Sequence, residues 1–226
     1  MSVLVLSCGR TGTNLLLEVL RGSTHLRATQ IAEDKTLFHY CPDLRKDYLS
    51  KCDTVYVKTL QRIDALFNRN PNLKVLWTIR DLRDTALSKI YRGQPGHDTP
   101  ILADDATLEG CLDDLKWMTQ VYRHIEKKYP DRIKVVKMED MILQFDNTLE
   151  EICSFLEIPV EGGMKDFIGR YRNDFKAQRY KKLDKSQVGL YNRVNEIYGG
   201  FFKTHDIDLK VLFERLQPYL KEFKYI

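Results

Sequence analysis

A short run of consecutive apolar residues, Val3-Leu-Val-Leu6, passes into Gly9-Arg-Thr-Gly12 and then directly into Asn14-Leu-Leu-Leu-Glu-Val-Leu-Arg21, which Gly22 closes. This order constrains the chain more than any other feature. An apolar run without alternation reads as a strand buried on both faces, the condition of a parallel sheet. The stretch after it has helical spacing, and a glycine just past its end suits a helix stop. A strand, a glycine loop and a helix in that order place free helix N–H groups at the carboxyl edge of a sheet. Glycines there let the backbone approach a ligand, so the corner is suited to an anion.

The same alternation continues. Thr54-Val-Tyr-Val-Lys-Thr59 reads as a second strand, Ile63–Asn68 as a short helix and Asn70-Pro-Asn72 as a turn. Lys74–Ile79 reads as a third strand, followed at once by a helix over Leu82–Tyr91. Residues 93–106 hold two glycines and two prolines and read as a surface loop. A long helix, Leu108–Lys128, ends before Pro130, and Ile133–Lys137 reads as a fourth strand. Asn147 and Glu150 have capping-box spacing for a helix over Leu149–Leu156, and the remainder reads mostly helical. The expectation is an α/β fold of three layers, a central parallel sheet flanked by helices, with a mostly helical C-terminal part. Ligands in such sheets bind at the carboxyl ends of strands.

At 226 residues the chain is long enough for one domain, 1–226, with a substantial core. A formal charge of +4 gives no electrostatic argument for nucleic acid. The cysteines, Cys8, Cys41, Cys52, Cys111 and Cys153, are odd in number and form no C-x-x-C pair. Zinc and a disulfide framework are both disfavoured, and reduced thiols in a cytoplasmic protein are expected. Met1–Ser7 lacks a basic flank and a cleavage site, so it reads as a core strand and not a leader. No stretch reaches the roughly 18 apolar residues of a membrane span.

Two segments carry chemistry. In Ser7-Cys-Gly-Arg-Thr-Gly-Thr-Asn14, Arg10 brings a positive charge, and Thr11, Thr13 and Asn14 bring side-chain donors. No lysine follows Gly12, so the loop departs from G-x-x-x-x-G-K-[ST], and a magnesium-dependent kinase is disfavoured. The plain alternative is a strand–turn–helix corner with Thr13 as N-cap. In Arg80-Asp-Leu-Arg-Asp-Thr-Ala-Leu-Ser88, an arginine at a strand end precedes a serine about two helical turns on, and the two can share one phosphate. Asp81 and Asp84 read as an N-cap and a first-turn acid.

Together these segments resemble the sulfotransferase family, whose fold is P-loop NTPase-like. Gly9–Asn14 looks like its 5′-phosphosulfate loop and Arg80–Ser88 like its 3′-phosphate motif. Val135-Val-Lys-Met-Glu-Asp140 resembles its strand and acidic pair, and Lys185–Tyr191 its nucleotide-closing loop. The resemblance implies that 3′-phosphoadenosine 5′-phosphosulfate (PAPS) is the co-substrate, leaving as 3′-phosphoadenosine 5′-phosphate (PAP), with no metal required. Gly9, Arg10, Thr11, Gly12, Thr13 and Asn14 would hold the 5′ side, Arg10 facing the sulfuryl group. Arg80 and Ser88, with Lys185 and Ser186, would hold the 3′-phosphate.

The sequence departs from the aryl branch in two places: Leu60 stands where that branch has a histidine, and Met138 where it has an adenine-packing tyrosine. Branches acting on sugars use a glutamate beyond the glycine loop, which implies Glu33 as the base, with Asp34 and His39 next in line. Lys58 would add positive charge near the sulfate. The acceptor would be a hydroxyl or amine, a small molecule or a carbohydrate being expected; the variable segments are equally compatible with a lipid headgroup or a peptide, and a homo-oligomer is compatible with the sequence. A nucleotide or nucleoside kinase with a degenerate loop, and a non-catalytic nucleotide-binding module, stay open as alternatives. The aromatic tail, Phe201 to Tyr225, reads as core packing more than as a substrate box, and is equally compatible with covering a partner chain.

Overall fold

The strand that opens the chain becomes the centre of the sheet. β1 (Ser2–Ser7) is buried along its whole length and pairs in parallel on both sides, with β3 (Tyr48–Asp53) and with β4 (Leu73–Ile79). β2 (Arg27–Ala28) adds to the outer edge of β3, and β5 (Ile133–Lys137) to that of β4. The order is β2-β3-β1-β4-β5, all parallel. The computed structural model describes residues 1–29, 34–92, 107–166, 185 and 188–226.

The lack of alternation in Val3–Leu6 follows from two cores, one on each face. Val3 and Val5 face α1 (Thr13–Leu20), α6 (Met138–Leu143) and α7 (Phe145–Leu156), where Leu16, Val19, Met141, Leu149 and Ile152 are buried. Leu4 and Leu6 face the other core. It is built from α3 (Leu60–Arg69), α4 (Leu82–Arg92), α5 (Leu108–Lys128) and the C-terminal helix. A strand apolar at every position can sit only between two such layers.

Short helices fill the remaining connections: α2 (Leu37–Tyr40), α8 (Gly162–Lys165), α9 (Val194–Tyr198) and α10 (Phe201–Thr204). α11 (Leu209–Glu222) closes the chain, capped by the Asp208 carboxylate, which accepts from Lys210 N and Val211 N. The aromatic tail packs as expected. Phe202 and Phe223 are buried, the Tyr198 ring lies tilted against that of Tyr91 with centroids 5.0 Å apart, and Phe201 meets Tyr91 edge-on.

Two expectations need correction. The second strand is Tyr48–Asp53, not Thr54–Thr59. The Asp53 carboxylate accepts from Val55 N and turns Thr54–Tyr56 into a 3-10 helix. Trp117 Nε1 then locks that turn by donating to the carbonyls of Thr54 and Val57. Asn147 and Glu150 are not a capping box, because α7 starts at Phe145. Gly22 follows the C-cap Arg21, just past the helix end as expected, and also serves close approach: a Cβ there would fall 2.1 Å from the Gly163 carbonyl oxygen of α8. Among the described residues, no helix is long and apolar enough to cross a membrane.

Candidate active site

The carboxyl ends of β1, β4 and β5 are neighbours, so the three segments after them share one edge of the sheet. The loop after β1 enters α1 through Gly12, which has φ 92°, a left-handed conformation that glycine takes without strain. A Cβ on Gly12 would also crowd Met138, whose Cγ would be 3.1 Å away, so the start of α6 packs against this loop. Gly12, and not Thr13, is the N-cap of α1. No side chain caps the helix, and its first turn carries no acidic residue. An N-terminus left in that state offers partial positive charge to an anion.

Arg10 has φ 74° and projects from the loop toward α4, where its Nε donates to Ser88 Oγ at 3.0 Å. The loop and the second motif therefore meet through their own side chains. The Thr11 hydroxyl turns inward. It donates to the Cys8 carbonyl at 2.8 Å and lies 3.1 Å from Thr78 Oγ1, so the hydroxyl is engaged within the protein. Thr13 is buried and Asn14 is exposed. Cys8 is fully buried, and burial pushes its thiol well above its ordinary pKa.

Arg80 stands at the end of β4 and is almost wholly buried, with Nη2 at 3.5 Å from Asp84 Oδ2. Asp81 caps α4 as expected: Oδ1 accepts from Arg83 N, and both carboxylate oxygens hold the Arg83 guanidinium. Asp84 is more than a first-turn acid. It is buried and accepts the Tyr191 N–H at 2.7 Å, tying the closing segment to α4. Burial raises its pKa, while Arg80 and the backbone N–H groups of Tyr191 and Leu190 favour the charged form. The Arg83 guanidinium stacks 3.6 Å from the Tyr191 ring centroid and seals the same junction.

Glu139 was legible only as one half of an acidic pair. In the fold its Oε1 accepts from Asp81 N at 2.8 Å and its Oε2 from Tyr225 Oη at 2.8 Å. Burial raises its pKa, opposed by these hydrogen bonds and by the charge of Arg80. No local pattern marks this contact, since its partners are 58 and 86 residues away.

Lys58 is exposed, past the 3-10 turn, on the stretch that leads into α3. Lys185 is exposed as well. Glu33 and Ser186 lie outside the described residues. Of the reserve bases, Asp34 accepts from Tyr48 Oη at 2.8 Å, and His39 is exposed.

An uncapped helix start, an arginine bonded to a serine of the neighbouring motif and a second arginine at the next strand end gather donors suited to an anion at one edge of a parallel α/β sheet. The sulfotransferase domain family matches residues 1–206, and the chain belongs to that family. No curated protein sequence matches it significantly. Among solved structures it is similar to the sulfotransferase domain from the curacin biosynthetic pathway, with TM-score 0.61 and 13% identity over 84% of this chain and 90% of that one. It is also similar to mouse sulfotransferase SULT7A1 complexed with PAP, with TM-score 0.56 and 17% identity over 94% and 88%. The sulfotransferase domain of the Synechococcus PCC 7002 olefin synthase follows, with TM-score 0.59 and 12% identity over 84% and 86%.

Proposed function

We propose that this sulfotransferase takes its sulfuryl group from PAPS and passes it to a hydroxyl or amine of a small-molecule or carbohydrate acceptor, the chain working as one domain. The Arg10–Ser88 hydrogen bond carries the donor reading, because it makes the 5′ and 3′ anion sites one continuous surface. PAPS supplies an activated sulfuryl group on a phosphate leaving group. The chain's residues do the rest. The backbone of Gly9 to Thr13, the start of α1 and Asn14 hold the 5′-phosphate, and Arg80 and Ser88 hold the 3′-phosphate with Lys185 and Ser186. Arg10 neutralises charge as it builds on the leaving phosphate, where a fixed donor is most effective. Glu33 takes the acceptor proton, a role worth about 10²–10⁴ in rate. Lys58 adds positive charge on the sulfate side. The five buried thiols suit a reducing cytoplasm.

Calorimetric titration with PAP, against ATP plus magnesium, tests the donor. Tight PAP binding that Arg80→Ala abolishes, with weak ATP binding, is the expected result. A preference for ATP with magnesium would reject the reading in favour of a kinase.

A further inference from the structure

The family match stops at residue 206, yet the chain beyond it returns to the anion-binding edge of the sheet. α11 ends at a left-handed residue, Lys224, with φ 57°. Tyr225 N donates to Leu220 O at 2.8 Å and Lys224 N to Lys221 O at 3.1 Å. These paired bonds form a Schellman closure, which reverses the chain and fixes the direction of the residue that follows. That residue is Tyr225. Lys137, at the end of β5, holds it in place: Nζ donates to the Lys224 carbonyl at 3.3 Å and lies 4.5 Å from the Tyr225 ring centroid.

The Tyr225 hydroxyl donates to Glu139 Oε2, and Glu139 Oε1 accepts from the N–H of Asp81. That N–H belongs to the peptide joining Arg80 to Asp81. Arg80 is thus held at its guanidinium by Asp84, and the peptide that follows it by Glu139. We propose that Tyr225 is a positioning residue for the 3′-phosphate site: through Glu139 it fixes the Arg80–Asp81 peptide and so sets where the Arg80 guanidinium stands. The inference rests on the donor reading given above. A tyrosine is suited to the task, because its hydroxyl adds a charge-assisted hydrogen bond on Oε2 while Asp81 N holds Oε1, so both oxygens of the carboxylate are fixed.

The test is Tyr225→Phe, titrated with PAP and with AMP, which lacks the 3′-phosphate. The variant keeps the ring and its place beside Lys137. PAP affinity should fall about three- to tenfold while AMP affinity holds, the scale of coupling through a packed polar network. Glu139→Gln should lower the PAP-to-AMP affinity ratio in the same direction. An unchanged ratio in Tyr225→Phe, or equal losses for both nucleotides, would overturn the proposal, since a general loosening of the fold has no preference for the 3′ group. A wild-type protein that binds AMP as well as PAP would instead overturn the donor reading.

Discussion

Arg10 Nε donates to Ser88 Oγ across 78 residues of sequence, so the arginine of one loop is held by the hydroxyl of the other motif. Removing either partner should therefore affect both halves of the site. Arg10→Ala is expected to lower kcat by about 10²–10³, the usual cost of one preorganised donor. Ser88→Ala should weaken PAP binding and also lower kcat, because Arg10 loses this hydrogen bond. Steady-state kinetics with labelled PAPS would separate these effects once an acceptor is known. Full activity in Arg10→Ala would remove it from the mechanism.

Glu33→Gln should retain PAP affinity and lose turnover by about 10²–10⁴, the contribution of a general base. Paired calorimetry and turnover measurements check this. If turnover survives, the proton goes elsewhere. Asp34 is then a weaker candidate than its sequence position implies, since Tyr48 and Thr36 already donate to its carboxylate.

Glu139 should leave a signature in the pH dependence of stability. Burial raises its pKa above the ordinary 4.5, so the folded chain holds this proton to higher pH than the unfolded chain does. Where the folded state binds more protons, stability falls as pH rises. The wild type should lose stability relative to Glu139→Gln as pH rises from the ordinary glutamate value through the raised one. Urea unfolding of both proteins from about pH 4 to about pH 7 measures the difference. Parallel curves would mean that Glu139 titrates normally.

Gly22→Ala should destabilise without changing nucleotide specificity. The added methyl would sit 2.1 Å from the Gly163 carbonyl oxygen, so α1 and α8 must separate. Overpacking of this kind costs about 1–3 kcal/mol. A melting curve and a PAP titration together check it; unchanged stability would mean that the α8 segment yields freely.

The sequence revealed most where structure is local. β1, β4 and β5 were readable because their apolar runs are short and bounded, and α5 because its helical pattern runs unbroken between Thr107 and Pro130. β3 was hidden. Its Ser50 and Lys51 are polar yet buried, while the β-branched residues just after it imitate a strand. Only the Asp53 cap and the Trp117 clamp, formed from α5, show why Thr54–Tyr56 turns. The site divides in the same way. Arg10, Arg80 and Ser88 could be picked out from two contiguous motifs. The bonds Asp84–Tyr191 and Glu139–Tyr225 span 107 and 86 residues and depend on packing that no window of sequence contains.

The φ of 74° at Arg10 has a consequence for how this chain responds to selection. A left-handed conformation costs a residue with a Cβ about 1 kcal/mol that glycine does not incur. Arg10→Gly would therefore relax the backbone while removing the side chain that joins the two motifs. Screening random variants for heat tolerance alone should favour this exchange and yield hardier molecules with an impaired reaction centre. On the donor reading proposed above, arginine at this position serves the chemistry at the expense of the backbone's own preference.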